Sequence, residues 1–551
     1  MGISARDRTA LSANWLGCAP WVVAAAGLAA LIWFDLGPNL ASNDDWMFAW
    51  SVKRLATGHG IQKVPDLAPL GLVQLFWGTL VSLGHVDYRL LRLSAVPFCL
   101  LAVYCTHRLS LNLGASRFWA AVAAGSLLAA PLYMALATTF MSEVFYIGLL
   151  MAVALAGETW VRRGQAAPIC VALVALAFLE RQTAVYMPAA ITIALVLARR
   201  HRTVRTREWI YVAAMWAAVG GLFSVVELAG LDRATSGRAL AILQNPPVDN
   251  VFRLAVYLPG MLGLFCAPFL GALLSRTRSQ DAGVPLHGRG PRAGVVVRVT
   301  LICLAIGAAA ALTVGRVPTL PGDYLTPGSL GPVHLDGPKA YLFSGWIFLG
   351  IEAVAVASFV GLVLGARGLG MRRDRPVGIE FLVLLAIGQL VPLLYGRAFD
   401  RYFLPALVVV LPLVALLATR WQATPAPAAA IWASFVMVSG LAIYVVGEQD
   451  YQAWQQARDT AARRAYAVVS PGQVSAGFEA NGVYVELPDY DAHGLPSRPP
   501  ILQPERLPSS IGPARPMIRL EFAPSDDPRP GVTYWSIASG RIVIVGDYHG
   551  G

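Results

Sequence analysis

The chain has 551 residues, 56% of them hydrophobic and only 14% charged, with a mean hydropathy of +0.58. Soluble domains carry about 25% charged residues, so a wholly soluble protein is excluded. The net charge of +11 would suggest nucleic acid in a soluble chain. Here Lys53, Lys63 and Lys339 are the only lysines and the arginines cluster in short loops between apolar runs. That is the positive-inside pattern of a membrane protein, and nucleic-acid binding is set aside.

Crossing a bilayer as a helix takes about 20 mostly apolar residues. Trp15–Phe34, Trp209–Val226, Leu254–Leu274, Tyr341–Leu364 and Ala428–Val446 approach or exceed that length, and Glu352 is the one charge inside them. None alternates in polarity, so a helical bundle is expected rather than a barrel. Arg6 and Arg8 precede the first run and place the N-terminus in the cytoplasm. The outer loop that follows holds Leu67–Leu83, an apolar stretch interrupted by Pro69. It reads as a re-entrant or interfacial helix, because a full span there would invert every later arginine-rich loop.

Further spans are expected at Leu90–Thr106, Phe118–Met134, Val144–Ala156, Ala166–Leu179, Val185–Ala198, Val299–Val314, Phe381–Tyr395 and Phe403–Ala418. The basic cluster Arg199, Arg200, Arg202, Arg205 and Arg207 marks a cytoplasmic loop. The count comes to about 13 transmembrane helices. From Glu448 the composition turns polar and proline-rich. A helix at Gln452–Val469 and strands at Val483–Leu487, Met517–Phe522 and Arg541–Val545 suggest a small soluble unit. The expected architecture is an all-α polytopic membrane bundle over residues 1–447, followed by a small α+β C-terminal domain over 448–551 on the outer side. The six cysteines lie in or beside apolar segments and show neither metal spacing nor a disulfide framework.

Ionisable groups at membrane depth are expensive and mark function by default. Four places on the expected outer side stand out. Ser42-Asn43-Asp44-Asp45-Trp46 follows the first helix. Its adjacent carboxylates suit a general base for a hydroxyl, and its plain reading is a helix cap. Thr139-Phe140-Met141-Ser142-Glu143 opens the fourth helix, where Glu143 is a second acid or simply a first-turn residue. Glu180-Arg181-Gln182-Thr183 sits between two short apolar runs, and Arg397 and Arg401 lie four apart around Asp400. Arginine forks bind phosphate in a bidentate way; the plain readings are snorkelling and an ion pair with Asp400. Acids at two places and arginines at two others fit one substrate with a hydroxyl and another with a phosphate leaving group.

These residues carry a family resemblance. The acid pair Asp44-Asp45 comes first, then the re-entrant segment and a helix entered through Arg-Leu-Leu-Arg-Leu-Ser at Arg89. Phe-Met-Ser-Glu at Glu143, the Arg181-Gln182-Thr183 turn and Arg401-Tyr402-Phe403-Leu404-Pro405 complete the order. The chain resembles the GT-C superfamily of membrane glycosyltransferases over Met1 to about Val446, with protein O-mannosyltransferases and bacterial lipid A aminoarabinose transferases as the nearest groups. The resemblance implies inverting transfer of a sugar from a polyprenyl-phosphate carrier to a hydroxyl on a glycolipid, polysaccharide or protein acceptor. The site would be the outer face of a bacterial inner membrane, among membrane lipids. By this likeness Asp44 or Asp45 is the base and Glu143 orients the acceptor or a metal. Arg181, Arg397 and Arg401 hold the lipid phosphate. Tyr324 and Asp323 belong to a substrate-covering loop whose Gly and Pro content sets turns, and Tyr402 and Gln182 serve the acceptor or the structure.

Ser-Glu departs from the Thr-Asp or Thr-Glu of relatives, and the Arg181 turn lacks a lysine that some of them use. A divalent cation is left open, since many such enzymes need none. Gly477-Phe478-Glu479-Ala480-Asn481-Gly482 reads as a turn. A lipid-linked-sugar transporter or flippase would use mid-membrane polar groups and inverted repeats, of which Glu352 alone is a candidate. A surface-polysaccharide polymerase or ligase would place its key residues in one large late loop.

Overall fold

The computed structural model describes residues 5–551 except 63, 65–69, 84, 230–247, 273–319, 327–328, 336, 338–344, 367–377, 395–398, 423, 494–516, 524–526, 530, 537–539 and 549–551. The span expected at Val299–Val314 and the site residue Arg397 lie outside the described residues.

The long apolar runs form helices because the bilayer leaves backbone groups no partner except one another. Among the described residues seven helices are long and apolar enough to cross a membrane. They are Cys18–Asp35, Tyr88–Leu113, Ser142–Arg163, Thr206–Leu228, Asn250–Ala272, Asp400–Trp421 and Pro427–Tyr466. Five shorter apolar helices accompany them, Leu72–Ser82, Ala167–Glu180, Gln182–Ala198, Ile347–Val363 and Ile379–Leu394. The stretch expected as one span at Phe118–Met134 is instead two helices, Arg117–Leu127 and Pro131–Ala137, bent by 56°. Pro131 opens the second helix, and its missing N–H and its ring break the ladder there. The 11-residue helix Leu72–Ser82 rises only about 16 Å, too short to cross roughly 30 Å of hydrocarbon.

Packing relies on small residues where helices approach closely, as expected without a hydrophobic drive between helices in lipid. Val248–Cys266 packs on Gly345–Ala366, and Ala5–Asp35 packs on Pro427–Tyr466. A Cβ at Gly263 would collide with the backbone carbonyl of Ala355, and one at Gly440 with that of Ala129. Glu208 ties a loop end by accepting 2.9 and 2.7 Å bonds from the Arg202 fork and 3.1 Å from Trp160.

The helix Pro427–Tyr466 runs unbroken for 40 residues through positions 447 and 448. Leu325–Thr326 (β1) and Ser329–Leu330 (β2) pair antiparallel ahead of it, and beyond it lies a four-stranded sheet of β3 (Val474–Ser475), β4 (Ile518–Ala523), β5 (Gly531–Ser536) and β6 (Gly540–Tyr548), in the order β3-β4-β6-β5. β3 pairs parallel with β4; β4 and β5 pair antiparallel with β6. Tyr451, Trp454, Ala457 and Ala461 of the helix share a buried cluster with Ile518, Leu520, Phe522 and Ile544 of the sheet. Val483–Leu487 is not a strand. A helix at Phe478–Asn481 continues as a wide turn through Gly482–Glu486 into Leu487–His493. Packing overrides the strand-like residues: wound helically, Tyr484 stacks 5.0 Å from Tyr466 and donates to Asp459 at 2.7 Å.

Gly263→Ala should destabilise the bundle by about 2 kcal/mol, the scale of overpacking a tight contact. A lowered midpoint in thermal unfolding of the purified protein is the expected result, with an unchanged midpoint for Gly472→Ala, where a Cβ meets open space.

Candidate active site

The site forms where the loop after the first helix meets four other elements. Arg92 is 1% exposed and organises that loop. It donates to the carbonyls of Pro38 at 3.1 Å and Leu40, and to Ser42 Oγ at 3.0 Å. From the other side, one face of the long C-terminal helix presents Gln452, Gln455 and Arg458, three residues apart and so aligned along it. Gln452 donates to Phe34 O at 3.0 Å, and Gln455 donates to Ala41 O at 3.0 Å and Ser42 Oγ at 2.9 Å.

This frame sends the two adjacent acids to different work. Asp45 points inward with a fully buried side chain. It accepts the Ser42 N–H at 2.6 Å and lies 3.9 Å from Arg92 Nε. Burial pushes its carboxyl up to about 8, against the pull of Arg92 and the Ser42 amide. Asp44 occupies the cap position of helix Asp45–Ala56, yet its side chain makes no cap bond. Its side chain is 23% exposed and faces Arg401 Nη1 at 3.4 Å. Desolvation raises its pKa, with Arg401 pulling the other way.

Arg401 is the centre. Its side chain is 9% exposed. Besides Asp44, its Nε lies 3.1 Å from Asp323 Oδ2 and 3.9 Å from Glu143 Oε1. The guanidinium carbon sits 5.8 Å from the Tyr324 ring, 5.6 Å from Phe399 and 5.3 Å from Tyr402. These are cation–π distances. Glu143, at the start of the Ser142–Arg163 helix, also receives Arg181 Nη2 at 2.6 Å. Arg181 donates to Ser142 Oγ at 3.1 and 2.9 Å and lies 5.9 Å from the Tyr146 ring. Arg181 can reach this far because it stands extended between two short helices, with φ −142° and ψ 129°.

The Glu180-Arg181 pair divides its work in the same way as Asp44 and Asp45. Glu180 accepts the Gln74 N–H at 2.9 Å, and its carbonyl accepts that of Gly71 at 2.9 Å. It thereby caps the start of Leu72–Ser82, where an acid suits the helix dipole. Gln182 opens the short turn Gln182–Val185 beside Arg181.

The loop carrying Asp323 and Tyr324 is clamped rather than loose. Asp400 accepts the backbone N–H groups of Tyr324 at 3.0 Å, Leu325 at 2.7 Å and Arg401 at 2.7 Å. Tyr324 is 1% exposed, and its phenol accepts from Asn43 Nδ2 at 3.1 Å. Burial raises the pKa of Asp323 despite Arg401. The structure thus brings Asp44, Glu143, Arg181, Arg401, Asp323, Tyr324 and Tyr402 together and sets Asp45 apart.

Sequence reasoning gave no role to Arg92, His334 or Arg458, and read Asn43 only as part of a helix cap and Glu479 only as part of a turn. Glu479, in the segment read as a turn, lies in the helix Phe478–Asn481 and reaches this loop. Burial opposes its ionisation, yet Arg458 and His334 hold it down to about 2. His334 is raised, with Glu479, Asp323 and Asp44 outweighing its burial. Arg92 stood within the Arg-Leu-Leu-Arg-Leu-Ser run quoted for the resemblance, without a role of its own. Nothing local distinguished Glu479.

Among the described residues no group of three or more His, Cys, Asp or Glu is placed to hold a metal ion. Glu143, Asp44 and Asp323 each already face a guanidinium. The positive charge a divalent cation would bring is supplied by Arg181 and Arg401, and the donor set does not fit such an ion. Between helix Asp45–Ala56 and helix Leu72–Ser82 lies a narrow recess lined by Phe48, Leu70, Gln74, Leu75 and Phe140 among others. Its walls are apolar except for groups such as Gln74, which donates to Phe140 O at 2.7 Å.

A model of the dolichyl-phosphate-mannose-protein mannosyltransferase family matches residues 79–226. That stretch holds Glu143 and Arg181 but neither Asp44 nor Arg401. The resemblance to GT-C membrane glycosyltransferases holds over it. ArnT from Cupriavidus metallidurans in the apo state aligns at 13% identity over 97% of this chain and 98% of its own, with a TM-score of 0.40. The same protein bound to undecaprenyl phosphate aligns at 14% identity over 95% and 97%, also at 0.40. At this identity and score the family model alone carries the comparison. No curated protein sequence matches the chain.

A carboxyl whose folded pKa is raised adds stability below its unfolded value and loses it as pH climbs through the folded value. For Asp45 that window runs from 3.8 to about 8. Asp45→Asn keeps the acceptor for the Ser42 amide and removes the titration. The unfolding midpoint of wild type should fall relative to Asp45→Asn as pH rises from 5 towards about 8. Parallel curves would contradict the assignment.

Proposed function

We propose, from the GT-C likeness over residues 79–226, that the chain is a membrane glycosyltransferase. It takes a sugar from a polyprenyl-phosphate carrier and transfers it, with inversion, to a hydroxyl of a glycolipid, polysaccharide or protein. The observation that carries the reading is Arg401 between Asp44 at 3.4 Å and Asp323 at 3.1 Å, with Glu143 joining it to Arg181. A basic carboxylate and two guanidinium forks then share one cluster.

Asp44 is the base on this reading. Its carboxylate accepts the proton of the acceptor hydroxyl, and partial desolvation raises its basicity. The hydroxyl oxygen attacks the anomeric carbon from the side opposite the phosphate. The bond from that carbon to the phosphate oxygen breaks, and its electron pair leaves with the lipid phosphate. Arg401 and Arg181 stabilise the charge that develops there. Glu143 fixes the distance between the two forks, and Tyr402 and Phe399 hold the Arg401 plane. Arg397 would add to the phosphate contacts, Gln182 would steady the Arg181 turn, and Tyr324 and Asp323 would cover the substrate. The arginine-rich loops put the N-terminus in the cytoplasm. The site and the C-terminal segment, residues 448–551, would then face the periplasm of a bacterial inner membrane.

The test compares glycolipids and surface glycans extracted from cells with and without the gene, at matched expression of each variant. Asp44→Asn should lower the gene-dependent sugar transfer about 100-fold or more, the scale of a lost general base. Asp45→Asn should stay within about threefold, because it touches only the frame. Full activity of Asp44→Asn would refute the mechanism. Arg401→Lys should also lose about 100-fold, since an ammonium cannot bridge three carboxylates as a planar fork does.

A further inference from the structure

Asn43, the residue before Asp44, sits in the left-handed region at φ 51°. That conformation costs a side-chain-bearing residue about 1–2 kcal/mol, though asparagine tolerates it better than most. Its backbone and its side chain each donate once. Its side-chain amide donates to Tyr324, and its backbone N–H donates to Glu479 Oε1 at 3.3 Å. The residue that holds the strained backbone in front of Asp44 therefore comes from the far end of the chain, 436 positions away.

Glu479 is itself held. Its side chain is fully buried, His334 Nδ1 lies 3.4 Å from Oε1, and Arg458 pairs with Oε2. Its segment is seated on the start of helix Asp45–Ala56. Phe478 meets Trp46 edge-on at 5.8 Å and His334 at 5.3 Å. A Cβ at Gly482 would collide with the Trp46 ring. Farther along, Asp491 accepts from Trp50 Nε1 and Lys53 Nζ, each at 3.1 Å. A buried carboxylate held by Arg458 and His334 is a firm acceptor, and a firm acceptor is what a strained amide needs to stay where it is.

We infer that Glu479 is a positioning residue for the transfer reaction, acting through the Asn43 amide to aim Asp44 at the acceptor. The C-terminal segment thereby completes the active site. This rests on the function proposed above. Without Glu479 the Asn43 N–H is buried and unpaired, the loop relaxes from φ 51°, and Asp44 leaves its line to Arg401. The lipid-phosphate forks Arg181 and Arg401 stay anchored by Glu143 and Asp323.

The experiment uses the full-length chain and two readouts. One is gene-dependent sugar transfer in cells lacking their own copy, at matched protein level. The other is the Kd of the purified protein for undecaprenyl phosphate, by tryptophan fluorescence. Glu479→Ala should lower transfer about tenfold, the equivalent of the left-handed cost, with the Kd within about twofold of wild type. Arg464→Ala, exposed on the C-terminal part of the chain and outside this network, should leave both unchanged. Glycine takes φ 51° without strain, so in an Asn43→Gly background Glu479→Ala should cost less than about threefold. Where Glu479→Ala does not fold, Glu479→Gln, which keeps an oxygen for the Asn43 amide, should hold transfer within about threefold.

Wild-type transfer in Glu479→Ala overturns the inference, as does an equal loss in the Asn43→Gly background or a loss of binding matching the loss of transfer. So does a folded Glu479→Gln without transfer. If Asp44→Asn abolishes transfer while Glu479→Ala does not, only this inference falls. If Asp44→Asn is fully active, the proposed function falls with it.

Discussion

One buried guanidinium determines much of the architecture around it. Arg401 touches acids from three separate elements: the loop before helix Asp45–Ala56, the start of helix Ser142–Arg163 and the loop at Asp323. A cation so little exposed is tolerable only while its partners stay close, because the desolvation penalty is several kcal/mol per ion. Each of the three elements is consequently braced. Arg92 and Gln455 hold the first, Arg181 the second and Asp400 the third. Two guanidiniums, Arg401 and Arg181, thus serve three carboxylates, and each of those acids has a neighbouring cation.

The bracing also explains why neighbouring residues of like chemistry diverge. Asp44 and Asp45 differ by one position on a helix start, which turns them about 100° apart. One meets Arg401 and solvent, the other Ser42 and Arg92. Glu180 and Arg181 part in the same manner, one to the start of helix Leu72–Ser82 and one to Glu143. In each pair one residue carries the frame and the other joins the cluster around Arg401, so the clustered group inherits a rigid base.

Much of this was legible in the residues. Long uncharged runs marked the membrane helices, and the high cost of charge at their ends picked out Asp44, Glu143, Arg181 and Arg401. Proline at 131 marked a break that the apolar length of Phe118–Met134 concealed, because hydropathy averages over a kink. The acids Asp44 and Asp45 could not be separated from sequence, since their difference lies in which way a single turn faces. Val483–Leu487 looked like a strand because valine and tyrosine favour one, whereas its fate was set by Trp46 and by the helix Pro427–Tyr466. Glu479 and His334 were invisible for a deeper reason. Their meaning lies in contacts far along the chain, as between Glu479 and Asn43, 436 positions apart, and no local pattern encodes those.

The helix Pro427–Tyr466 has a geometric consequence. Forty residues span about 60 Å, while the hydrocarbon layer is about 30 Å thick. Roughly half of the rod therefore stands clear of the hydrocarbon, and the sheet of β3 to β6 rests on it. With no linker in between, distance and azimuth beyond residue 447 are set by helical rise and twist alone. Inserting one residue near Gly447 would advance everything above it by about 1.5 Å and rotate it by about 100°. Gln455 and Arg458 would then swing off the loop they hold. The chain is thus phased like a screw thread, with the position of the outer half locked to the register of the inner half.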